Sequence, residues 1–179
     1  MTALTRMTAD PRSTAAILDL SCDNWLGMRI SAKADYAVRA ALEMAAAPEG
    51  EPVKGERLAE AQDIPLQFLE HILLELKHAR LVQARRGAKG GYWLARAPDE
   101  ITLADVIRAV EGPLANIHEY APEELHYPGP AERLRDVWVA VRQGLRAVLE
   151  NVTLADVAGG ELPWRIDAIL NDPEAWIKR

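Results

Sequence analysis

The 179-residue chain predicts a mainly α-helical fold carrying one short β-hairpin, and three stretches support it. An amphipathic segment begins at Ile64, a glycine-tipped basic segment follows it directly, and a longer apolar stripe runs from residue 131 to residue 151. In the first, Leu66, Leu69, Ile72, Leu73 and Leu76 recur at the three-and-four spacing that lines one face of a helix. Pro65 suits its first turn, where a missing N–H costs nothing. In the second, Leu81 to Arg85 and Tyr92 to Ala95 are strand-length, and Arg86-Gly-Ala-Lys-Gly90 is the turn that reverses them. A helix leading into a basic hairpin is the order of a winged helix-turn-helix with a two-stranded β wing.

Charge adds a function to that order. Between Lys77 and Pro98 stand six cations (Lys77, Arg80, Arg85, Arg86, Lys89 and Arg96) and no acid, in a chain whose net charge is −6. A basic island on an acidic body attracts phosphate locally without sticking everywhere, which favours duplex DNA over a merely solvated hairpin. The wing residues Arg85, Arg86, Gly87, Lys89, Gly90, Gly91 and Tyr92 are therefore candidate DNA contacts, the glycines because they permit positive φ and close backbone approach.

Ahead of this unit, Ala34, Ala37, Val38, Ala41, Leu42 and Ala45 predict a first helix over 31–47, ended by Pro48-Glu-Gly-Glu-Pro52. Val53 to Gln62 predicts a second helix anchored by Leu58 and Ala61, and Asp63 starts the turn into the third. The polar face of the third helix offers Gln67, Glu70, His71 and Lys77. Gln67 and Glu70 lie in the turns that would enter a major groove, where Gln can pair with adenine and Glu can accept from cytosine N4.

Three motifs in this order, Met28-Arg-Ile-Ser-Ala-Lys-Ala-Asp-Tyr-Ala-Val38, the Ile64 helix and Arg86-Gly-Ala-Lys-Gly-Gly-Tyr92, resemble the Rrf-type family of bacterial regulators, from Met28 to about Gly160. The resemblance implies that the start of the first helix lies along the DNA backbone, with Arg29, Ser31 and Lys33 at the matching places. A purely local reading leaves Ser31 as a helix cap and the cations solvated. The resemblance also implies base contacts from Gln67 and Glu70, a wing contact from Arg86, and repression rather than activation. The family often carries Ser where this chain has Gln67, so the operator sequence does not transfer.

Beyond Pro98, Thr102-Leu-Ala-Asp105 reads as a capped helix start, and Thr-Leu-Ala-Asp-Val recurs at Thr153 to Val157. Between Gly112 and Pro130 lies an irregular loop. Iron–sulfur members of the family carry cluster cysteines there; this loop has none, so no cofactor and no metal site are expected. His118, Glu119, Glu123, Glu124 and His126 form a minority metal reading, against ordinary loop contacts or a small-molecule pocket built with Tyr120 and Tyr127. The stretch from Ala131 to Asn151 predicts a helix of about 21 residues and about 30 Å. Its stripe of Leu134, Val137, Trp138, Val141, Leu145, Val148 and Val152 is read as a dimer interface, the alternative being a helix buried in its own domain. The tail is expected to fold back or pack across the dimer through Trp164 and Trp176.

The expected organisation is an N-terminal extension over 1–27, a winged helix-turn-helix DNA-binding domain over 28–98, a linker helix and effector loop over 99–130, and a long C-terminal dimerisation helix with its tail over 131–179. Residues 1–27 lack the features of a secretory signal, and either form an appendage or precede a true start at Met28. No apolar run reaches the roughly 18 to 20 residues of a membrane span, so no membrane partner is expected. The single Cys22 excludes an internal disulfide, which fits the cytoplasm. No nucleophile motif or phosphate loop supports an enzyme. The expected partners are a near-palindromic double-stranded DNA operator, a second copy in a homodimer, and a small-molecule effector or partner protein. A winged-helix protein-interaction module is the competing class.

Overall fold

The computed structural model describes residues 30–117 and 120–177; Arg29, His118, Glu119 and the segment 1–27 lie outside the described residues. Helix α1 (Ala32–Ala46) starts where the Ser31 hydroxyl accepts the Ala34 N–H at 3.0 Å, and it buries Ala34, Ala37, Ala40, Ala41 and Met44. Small side chains on that face let its neighbours approach closely. Helix α2 (Gly55–Gln62) buries Leu58 and Ala59, while Ala61, expected inside, is exposed. Its end is set by Asp63, which turns left-handed at φ 50° and swings the chain into α3 (Leu66–His78). Arg39 on α1 fastens that turn, donating to the Gln62 side chain at 3.1 Å and pairing with Asp35 at 3.0 Å.

In α3, Leu69, Ile72, Leu73 and Leu76 are each fully buried, a contribution of about 1.5–3 kcal/mol per side chain. Leu66, assigned to the same face, is instead exposed, because its first-turn position lies beyond the edge of the core. The wing follows as β1 (Val82–Arg85) and β2 (Gly91–Leu94), antiparallel, with Val82 opposite Leu94 and Arg85 opposite Gly91. Val53, expected in α2, is a one-residue third rung. It bridges Tyr92 through N–H···O bonds of 2.9 and 2.8 Å, which leaves α2 to begin only at Gly55.

The remaining helices return to the same core. Helix α4 (Leu103–Glu111) and helix α6 (Leu154–Gly159) each start with a reciprocal Thr/Asp capping box, Thr102 with Asp105 and Thr153 with Asp156. The two copies of the repeated motif face each other. Leu103 N–H donates to the Val152 carbonyl and Leu154 N–H to the Ile101 carbonyl, both at 2.9 Å, around an antiparallel Thr102–Thr153 bridge. Ile101, Ala104, Val106, Val152 and Leu154 are buried there, and Ile101, Val106 and Leu154 belong to the core formed with α1.

Between them stands α5 (Leu134–Leu149), 16 residues long and therefore about 24 Å, shorter than the reading from residue 131 to 151. A 3-10 turn precedes it and the chain leaves it at Glu150. None of its residues is buried. Val152 consequently does not belong to its stripe. With 3 % exposure it is a core residue of the protomer, past the helix end. Helix α7 (Trp164–Leu170) and a closing 3-10 turn leave Trp164 and Trp176 exposed, the latter donating its indole N–H to the Leu170 carbonyl at 2.8 Å.

Candidate nucleic-acid interface

The buried leucines of α3 fix which of its residues face outward. Gln67, Glu70, His71, Leu74 and Lys77 form one exposed stripe, at the spacing of a single helix face. Gln67 and Glu70 stand in its first two turns, as expected from sequence. Leu74, 49 % exposed in the middle of that stripe, is an apolar member that the polar-face reading passed over.

The wing stands beside this stripe. Arg85, Arg86, Gly87 and Lys89 are exposed at its tip, while Gly90 and Gly91, on the returning side of the turn, are buried. The hairpin closes through Gly90 N–H to the Gly87 carbonyl at 2.9 Å and Arg85 Nη2 to the Lys89 carbonyl at 2.9 Å. Gly87 takes φ +100°, and a Cβ on Gly90 would overlap the Arg85 carbonyl oxygen. A Cβ on Gly91 would fall 2.5 Å from the Val53 carbonyl oxygen, so that glycine is what lets the third rung form. Tyr92, next in β2, pairs with Ala84 and Val53 and is half-buried.

Helix stripe, wing and the start of α2 enclose an open cleft of about 470 Å³ lined by Glu70, Leu74, Lys77, Arg85, Arg86 and Lys54, among others. Lys54 was not singled out in the sequence. Its Nζ donates to the Gly87 carbonyl at 2.8 Å, tying the wing tip to the α2 start. No local pattern announces it, because the bond spans 33 residues. Among the described residues, no ion pair engages Lys54, Lys77, Arg85, Arg86 or Lys89. Lys54, Lys77, Arg85 and Arg86 line the cleft, so their charge acts on whatever enters it.

At the start of α1 the structure gives Lys33 partners within the molecule. Lys33 is turned into the molecule, pairing with Glu75 of α3 at 2.9 Å and donating to the Val110 carbonyl of α4 at 2.6 Å. Its charge ties three helices together. Ser31 caps α1 and also donates to Glu111 at 2.7 Å. Its neighbour in the expected set, Arg29, lies outside the described residues.

A glycine-tipped basic wing beside an outward-facing third helix defines a winged helix-turn-helix DNA-binding regulator, a class that works by binding and performs no catalysis. The chain belongs to the Rrf2 family, described as iron-dependent transcriptional regulators, whose model matches residues 30–160. It is 51 % identical over 148 residues to Rv1287 of Mycobacterium tuberculosis, which bears the name of an HTH-type transcriptional regulator, covering 83 % of this chain and 92 % of that one. The structure is similar to that of CymR, the global cysteine regulator of Bacillus subtilis. The TM-score is 0.62 and the identity 33 %, over 73 % of this chain and 96 % of that one. An IscR from T. potens aligns with TM-score 0.59 and 31 % identity, over 86 % of this chain and 94 % of that one.

The iron in the family description requires donors, and the loop supplies a poor set. Iron–sulfur iron is held by thiolates, and the loop between Gly112 and Pro130 contains no cysteine. Glu123 is engaged by Arg142 at 2.6 Å, Glu124 Oε2 accepts the Ala121 N–H at 3.1 Å, and His126 Nδ1 lies 3.0 Å from the Glu124 carbonyl. Among the described residues no three His, Cys, Asp or Glu side chains converge as ligands. This donor set does not fit an iron–sulfur cluster.

Proposed function

We propose that the chain acts as a homodimeric, cytoplasmic repressor that grips a near-palindromic operator with one helix-and-wing unit from each copy. Phosphate contacts come from Arg85, Arg86, Lys89 and the exposed backbone of Gly87, with Gly90 and Gly91 closing the turn and Tyr92 holding β2 in place. Lys54, Ser31 and Arg29 complete the backbone-facing set, and Gln67 and Glu70 read base edges. Two-fold pairing sets half-sites about one helical turn, roughly 34 Å, apart.

The observation that carries the dimer is α5. Val137 is 51 % exposed, Leu145 is also exposed, and Leu134, Trp138, Val141 and Val148 are only half-buried, on a helix with no buried residue. A stripe of this length left uncovered in one copy is matched by the same stripe in a second, which a two-fold axis makes self-complementary. A signal received in the loop over 112–130 alters the spacing of the two heads through α5.

Fluorescence anisotropy on the DNA upstream of the protein's own gene tests the reading, together with sedimentation of the free protein. Expected are a dimer and specific binding that weakens steeply with salt. Salt-insensitive binding, or binding with no sequence preference, would overturn it.

A further inference from the structure

A second cleft of about 450 Å³ lies between the loop, α4 and α5, away from the helix-and-wing face, within the range of small-ligand pockets. Arg108 of α4 and Arg142 and Arg146 of α5 converge on it, and Pro113, Leu114 and Ala121 supply an apolar wall. Arg108 and Arg146 share the Glu150 carboxylate, the latter at 2.9 Å. Arg142 is held differently. Its partner is Glu123, at 2.6 Å, from a 3-10 turn of the loop.

That pair is asymmetric. The Arg142 side chain is only 20 % exposed, whereas Glu123 is 58 % exposed. The guanidinium is a fixed part of the cleft, and the carboxylate is a surface group on a loop. Only the carboxylate end of the pair stands in solvent, so a better-placed oxyanion can take its place on the guanidinium. Arginine's planar fork matches carboxylate and phosphate oxygens in two parallel hydrogen bonds.

We propose that this cleft is the effector seat and that it takes a small oxyanion, a carboxylate or phosphate compound with a short apolar body, which displaces Glu123 from Arg142. The regulatory consequence rests on the DNA-binding reading above; the binding itself does not. Release of Glu123 frees the loop that follows directly from α4. The last turn of α4 holds Lys33 through the Val110 carbonyl, and Lys33 holds Glu75 of α3, giving the loop a physical route to the DNA-reading helix.

The test is isothermal titration of the full chain with sodium succinate and, separately, sodium phosphate, at constant ionic strength set with chloride. Saturable binding of either is expected, and which one binds identifies the oxyanion class. Arg142→Gln should weaken it at least about tenfold, while Glu123→Gln, which removes the competing carboxylate, should tighten it severalfold. A merely structural pair would not give opposite signs. Circular dichroism confirms that each variant folds. No saturable heat with either anion, or equal affinity in wild type and Arg142→Gln, overturns the proposal. Anion binding that persists in a chain with no operator affinity would sink the DNA reading and leave this one standing.

Discussion

Helices α3 and α5 both carry apolar residues at helical spacing, yet they meet opposite fates. In α3 four of them are fully buried inside the protomer, and the polar face is left to point outward. In α5 none is buried, and the apolar face itself is presented. A periodic stripe specifies that a surface is to be covered. It does not specify which molecule covers it, and here one stripe builds the head while the other is left uncovered within the protomer.

The sharpest way to break this contrast is a charge in the open stripe. Val137→Glu should leave the helical spectrum and urea midpoint near those of the wild type while converting dimer to monomer in sedimentation. Operator affinity should fall about 10²–10⁴-fold as the two heads lose their linkage. The corresponding lesion in α3 should act on folding instead. Leu69→Ala is expected to cost about 2–5 kcal/mol in urea denaturation, with subunit association unchanged under native conditions.

Within the DNA-facing set the contrast is between reading and holding. Gln67→Ala should lose about 1–3 kcal/mol of discrimination at one base position per half-site, measured on a panel of single-base operator variants. Arg86→Ala should weaken all sequences alike and lower the salt slope by about one per subunit.

The smallest effect concerns two carboxylates paired with arginines of α5. Glu150 is held below the usual carboxylate range by hydrogen bonds from Arg108 and then Arg146, and Glu123 by backbone hydrogen bonding and then Arg142. A depressed folded-state pKa stabilises above the unfolded value, about 4.3, and that stabilisation is lost as pH falls through the folded value. Glu150→Gln should therefore lower stability slightly at neutral pH and flatten its decline below pH ~4, as read from thermal melts across pH.

Much of the head was legible because its signals are local. The buried set of α3, the strand lengths and the glycine turn all follow from spacing and residue type. What escaped depends on partners far along the chain. Val53 looked helical, and only the approach of Gly91 turns it into a rung. Lys33 looked like a surface cation, and it finds Val110 across 77 residues. Val152 continues the α5 stripe by spacing alone. The chain, however, stops that helix and begins a capped one at Thr153, a signal present in the repeated motif but overridden by periodicity. Leu66 failed for a related reason, since a face read from spacing has no edge until the neighbouring elements are placed.

The pairing of the two Thr-Leu-Ala-Asp motifs closes a loop in the topology. Helix α5, none of whose residues is buried, is an excursion that leaves the head after α4, and the chain is fastened back onto the head at Val152 and Leu154. A protein ended at Leu149 would retain the complete arm and every groove-facing side chain. It would nevertheless strip the cover from Ile101, so an apparently dispensable tail after Leu149 would prove indispensable to the head at the other end of the chain.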